Sequence, residues 1–154
     1  MYARIGCLLV CLLWIAAPQA GNTVFKASKA DPLDQVYTAI YHALEEHRFY
    51  VVFEADMGHN MARFAERWGE DYNRSRLDQI KAMVVCNVWY TNRVSNLDPD
   101  MLSLCPLSVA LTEKDGVSTV MFARPTAVAG DSPALPVLKE VEDEIIKAIG
   151  EALE

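Results

Sequence analysis

Zinc-ligand spacing, a phosphate-cradling glycine loop, a Gly-x-Ser-x-Gly elbow and a His-Glu-x-x-His helix are all missing from these 154 residues. The enzyme classes that those motifs announce are excluded. Basic charge is scarce: 14 Lys and Arg stand against 21 Asp and Glu, for a formal net charge of −7. Such a surface repels nucleic-acid phosphate and anionic lipid, and no basic stripe interleaved with aromatics interrupts it. Nucleic-acid binding is therefore disfavoured. A bilayer-crossing helix needs roughly 20 apolar residues, whereas the uncharged run from Ile5 to Ala17 has 13.

That short run has a different use. Arg4 supplies a charged start, the apolar stretch follows, and Ala17-Pro-Gln-Ala20 is a small-residue exit. This is the order of a signal peptide, with cleavage expected after Ala20. Residues 1–20 are read as the leader and residues 21–154 as a single domain, periplasmic or secreted, with no membrane segment after cleavage. Losing Arg4 makes the chain one unit more negative. Cys7 and Cys11 leave with the leader, so two cysteines, Cys86 and Cys105, remain in an oxidising compartment.

The rest of the chain fits one core. Thr23 to Lys26 is a short candidate strand. Asp31-Pro32 opens a helix in which Leu33, Val36, Ile40 and Leu44 recur at three- and four-residue steps, with Asp31 as cap and Pro32 in the first turn. Phe49 to Phe53 has the aromatic and β-branched content of a strand. Met57, Met61, Phe64, Ala65 and Trp68 predict a helix ending near Gly69, and 71–78 a polar loop. Lys81 to Val88 is the strongest strand candidate. Trp89 to Ser103 reads as turn-rich, with a short helix from Asn96-Leu-Asp-Pro-Asp100 through Leu104. Leu107 to Thr112 and Val117 to Ala123 are strands joined through Asp115-Gly116, the strongest hairpin signal present. After a loop over 124–132, a helix beginning near Pro136 buries Val137, Leu138, Val141, Ile145, Ile149 and Leu153 and turns Glu140, Glu142, Asp143 and Lys147 to water. These elements predict an α+β fold of two layers, a mainly antiparallel sheet with helices on one face.

Two clusters can carry chemistry. Cys86 ends one strand and Cys105 precedes the next, so neighbouring strands would bring the sulfurs together. They then either form a disulfide, which removes the nucleophile, or stay reduced and hold sulfane sulfur or a soft metal. Asn87 and Trp89 lie beside this pair, and Trp89, Met101 and Cys105 are candidates to line a pocket. The second cluster is Met57-Gly-His59-Asn-Met61, whose two thioethers and imidazole suit Cu(I). Its three ligands converge only in an extended loop, because on a helix His59 points away from Met57 and Met61. His42 and His47 are expected at the surface or its boundary.

Cys86-Asn87, Asp98-Pro99 and Cys105-Pro106, followed by Ser108-Val-Ala-Leu-Thr-Glu-Lys-Asp-Gly116 and a closing amphipathic helix, resemble the domain-of-unknown-function family 302 over residues 25 to 153. The resemblance implies a β-α-β(4)-α arrangement similar to the TATA-binding-protein fold, a homodimer, and for some members an association with sulfur metabolism. Many members have Cys-Asn-Pro where this chain has Cys86-Asn87-Val88, and a Pro-Cys step where it has Cys105-Pro106. The expectation is an exported binding or accessory protein that handles sulfane sulfur or a soft metal through Cys86 and Cys105. The alternatives are a copper-binding protein using Met57, His59 and Met61, and a non-catalytic dimeric interaction module.

Overall fold

Alternating apolar and polar positions after residue 23 produce five strands, and two long amphipathic helices cover them. The computed structural model describes residues 23–154; the leader expected at 1–20 lies outside the described residues. The elements run β1 (Val24–Lys29), α1 (Leu33–Glu46), β2 (Tyr50–Asp56), α2 (Met57–Ala62), α3 (Ala65–Trp68), β3 (Gln79–Cys86), α4 (Val88–Leu97), β4 (Leu107–Lys114), β5 (Val117–Ala123), α5 (Thr126–Ala129) and α6 (Leu135–Leu153). The sheet order is β1-β5-β4-β3-β2, and every neighbouring pair is antiparallel. β1 and β2 thus form opposite edges, and α1 crosses one face to connect them. This is the expected two-layer α+β architecture.

Strand alternation sends Met83 and Val85, Val109 and Leu111, and Val120 and Phe122 to the helix side, where they meet Val36, Ile40 and Leu44 of α1 and Val141, Ile145 and Ile149 of α6. Burying each such side chain stabilises the fold by about 1.5–3 kcal/mol before conformational entropy is counted. A smaller cluster of Val94, Ala129, Ala134, Val137 and Leu138 ties α4 to the start of α6. The hairpin forms as expected. Lys114 pairs with Val117, and Asp115 and Gly116 both take positive φ, 52° and 75°, as a two-residue type I′ turn requires.

Four expectations are corrected. Pro32 occupies the N-cap of α1, not its first turn, and Asp31 pairs with Lys29 instead of capping. The free Leu33 N–H donates instead to the Glu113 carboxylate of β4, at 2.8 Å; such a cap arrives from 80 residues away and is invisible to a local pattern. The helix expected from Met57 to Gly69 breaks into α2 and α3 at Arg63 and Phe64. The supposed turn-rich segment after Trp89 is helix α4. Its β-branched and Asn residues are weak helix formers, but burial of Val94 and partial burial of Tyr90 outweigh that propensity.

Glu142 is the fourth. It was expected to face water, yet it is 5% exposed. It accepts hydrogen bonds from Arg124 and from the Thr126 hydroxyl and, at 3.3 Å, the Thr126 N–H. The buried carboxylate therefore fastens the segment after β5 onto α6.

Candidate functional site

β3 and β4 pair so that Val85 stands opposite Leu107. The residue that ends β3, Cys86, and the one two places before β4, Cys105, consequently arrive at the same end of adjacent strands. A 3₁₀ turn over Pro99–Leu104 delivers Cys105, whose N–H donates to the Leu102 carbonyl at 2.9 Å. The disulfide reading is not realised here: both thiols are free and both are partly buried.

The two sulfurs line one cavity of about 20 Å³. A volume of that order admits a single water-sized atom. Phe49, Val94, Leu107 and Leu138 contribute apolar wall, so a charged occupant would lose its hydration with little to replace it. Phe49 stacks on Tyr90, ring centroids 5.9 Å apart, and both line the cavity.

Polar contact inside the cavity comes from Thr91. Its hydroxyl donates to the Asn87 carbonyl at 3.0 Å and lies 3.8 Å from Cys86 Sγ. In the contact with Cys86 either the thiol or the hydroxyl can be the donor. Burial pushes the Cys105 thiol above its ordinary pKa; the hydrogen bond with Thr91 works against the rise, and charge on Cys86 adds to it. Cys105 is thereby held as a neutral thiol.

Asn87 has a structural task that places these groups. Its Oδ1 accepts the N–H groups of Trp89 and Tyr90, at 3.0 and 3.2 Å, and so caps α4. Helix start and strand end are thus joined at Cys86-Asn87, and Thr91 comes round one turn later to face the sulfurs. Thr91 was not singled out in the sequence. The signal that finds it is the Asn cap itself, since a hydroxyl four residues after the cap returns to the cap residue's carbonyl.

The other sequence candidates separate. Trp89 does not join Cys105 and Met101 in one pocket. It is 64% exposed and lines a different groove, of about 610 Å³, together with His47, Arg48 and Tyr50. Met101 instead packs against the small cluster around Val94. Met57, His59 and Met61 lie on helix α2, so the extended loop that would gather them is not formed. His59 and Met61 border a cavity of about 230 Å³, which Met57 does not line. Among the described residues no three His, Cys, Asp or Glu side chains group as metal ligands, and no helix is long and apolar enough to cross a membrane.

His47 tethers the two long helices, its Nδ1 to Glu144 at 2.9 Å and its Nε2 to Glu151 at 2.8 Å. These hydrogen bonds, Glu151 first, raise the imidazole pKa against the opposing effect of burial. Glu151 is held below the usual carboxylate range by the same contact.

No curated protein matches the chain. Among solved structures it is similar to the crystal structure of the uncharacterized conserved protein DUF302 from Bacillus stearothermophilus, with a TM-score of 0.73 at 15% identity, covering 86% of this chain and 99% of that one. At that identity the likeness concerns the fold. The model for the domain of unknown function DUF302 matches residues 24–152, nearly the whole described chain, including both cysteines and the elements that bring them together, and the protein belongs to that family.

Proposed function

We propose that this protein is an exported binding module that carries one sulfane sulfur atom on Cys86, with Cys105 and Thr91 enclosing it. The observation that carries the reading is the shared cavity: two free thiols border an apolar space sized for one atom. Cys86 is the acceptor, since burial holds the pKa of Cys105 up. Loading from a persulfide donor is balanced without an oxidant: Cys86–SH and R–S–SH give Cys86–S–SH and R–SH. The Cys86 thiolate attacks the outer sulfur, the S–S bond of the donor breaks, and the leaving thiolate takes the proton.

A neutral Cys105 protects the product. Attack on the persulfide by a Cys105 thiolate would expel hydrosulfide and leave a disulfide, and the raised pKa suppresses that attack. The same effect argues against a thiophilic metal, which would ask both sulfurs to ionise in an apolar site. Mass spectrometry of the reduced protein after exposure to a persulfide donor tests the reading. A gain of one sulfur atom on Cys86, absent in Cys86→Ser, is expected; a Cys86–Cys105 disulfide as the sole product would overturn it.

A homodimer is proposed through the β2 edge. β2 is an edge strand and carries Val52 and Phe53 at 59% and 62% exposure, an uncommon apolar load for an edge strand. Light scattering tests this: a dimer that becomes monomeric in Val52→Lys supports it, and a wild-type monomer rejects it.

A further inference from the structure

The groove beside the thiol cavity is walled by Glu46 and Arg48 at the end of α1, Tyr50 of β2, Trp89 of α4, and Glu144 and Lys147 of α6. Asn87 and Tyr90 line both spaces and form the partition between them. Tyr50 is the register partner of Cys86. The groove, at about 610 Å³, has the size of a small-ligand site and lies across Asn87 and Tyr90 from the cavity that the cysteines line.

Its charges are of two kinds. His47 is spent on Glu144 and Glu151, and Lys147 lies 3.9 Å from Glu151. Arg48 and Glu46 make no ion pair among the described residues, so one cation and one anion stand uncommitted in the same groove. Trp89 and Tyr50, on the same groove, are largely exposed. A guanidinium recognises a carboxylate, a carboxylate recognises an ammonium, and an indole face accepts a flat peptide plane.

We infer that the groove binds the zwitterionic body of a thiol-bearing amino acid or short peptide, its carboxylate at Arg48 and its ammonium at Glu46, and presents its persulfide sulfur to Cys86 past Asn87. This rests on the sulfane reading of Cys86 and names the class of donor. The transfer is the balanced exchange given above, with R the amino-acid or peptide body. The groove contributes by holding the donor in place, which makes the attack effectively intramolecular.

Two measurements separate the groove from the thiol. S-methylglutathione, which cannot react, is titrated into the protein by isothermal titration calorimetry. Binding weakened about tenfold by Trp89→Ala, and similarly by Arg48→Gln, is expected. Loading of Cys86 by glutathione persulfide is then compared with loading by mercaptoethanol persulfide, which lacks both charges; the charged donor is expected to be faster, and only its rate should fall in the two variants. If S-methylglutathione does not bind while mercaptoethanol persulfide still loads Cys86, the groove inference is overturned and the sulfane reading stands. If neither donor loads Cys86, both fall together.

Discussion

Replacing Glu142 by Ala should be among the most damaging single changes on α6 that remove no apolar contact. The side chain is 7% exposed and answers three donors, whereas its partner Arg124 is 28% exposed. Breaking a buried ion pair typically costs about 3–5 kcal/mol, because the survivor is left charged and unpaired. Water reaches Arg124, so the lower end applies: about 3 kcal/mol, or a fall in melting temperature of about 10 °C for a domain of this size. Glu142→Gln keeps the shape and some hydrogen bonding and should lose about 1.5 kcal/mol.

The pH dependence adds a second handle on the same residue. Burial opposes ionisation of Glu142, but the hydrogen bonds from Thr126 and Arg124 together outweigh it and hold the carboxyl below its ordinary value of 4.5. A group depressed in the folded state contributes stability above its unfolded pKa and loses it as the pH falls through the folded one. The gap between wild type and Glu142→Gln should therefore be full above about pH 4.5 and close below it. Urea melts across that range are the assay. A Glu142→Ala variant within about 0.5 kcal/mol of wild type at neutral pH would refute the anchoring argument.

Three further outcomes are expected. His47→Ala should destabilise most between about pH 4.5 and 6.5, because the raised His47 pKa gives stability that is lost as pH rises above 6.5, while the depressed Glu151 gives stability lost as pH falls below 4.5; thermal melts against pH check this. Thr91→Val removes the hydrogen bond that restrains the rise of the Cys105 pKa, so the pH profile of Cys105 alkylation should move to higher pH with little change in fold. In a Cu(I) titration under a competing chelator, the Met57→Ala, His59→Ala, Met61→Ala variant should behave as wild type, since helix α2 leaves Met57 off the cavity that His59 and Met61 border; a loss of binding confined to that variant would restore the copper reading.

The strands, α1, α6 and the hairpin were legible because each rests on a local pattern: alternation in 107–112, three- and four-residue steps in 33–44 and 137–153, and Asp115-Gly116 where both residues must take positive φ. Helix α4 was not, because its propensities are poor and its warrant is tertiary, the burial of Val94 among Ala129, Val137 and Leu138. Glu142 failed for a related reason. Its position on the helix borders the apolar stripe, and only the approach of Arg124 and Thr126 from another element decides that it is covered. The cysteines were visible as a pair, but their common cavity depends on the β3–β4 register and on Asn87 capping α4 behind them. Thr91 and the Phe49 wall follow from that placement and carry no motif of their own.

The central claim is that Cys86 and Cys105 work on one atom in one space. It is tested most directly by exposing the reduced protein to a persulfide donor and determining, by intact mass and by fragment mass, how many sulfur atoms are gained and where. One added sulfur is expected, located on Cys86, with Cys105 still a free thiol. Independent loading of both cysteines, or no loading of either, would contradict it.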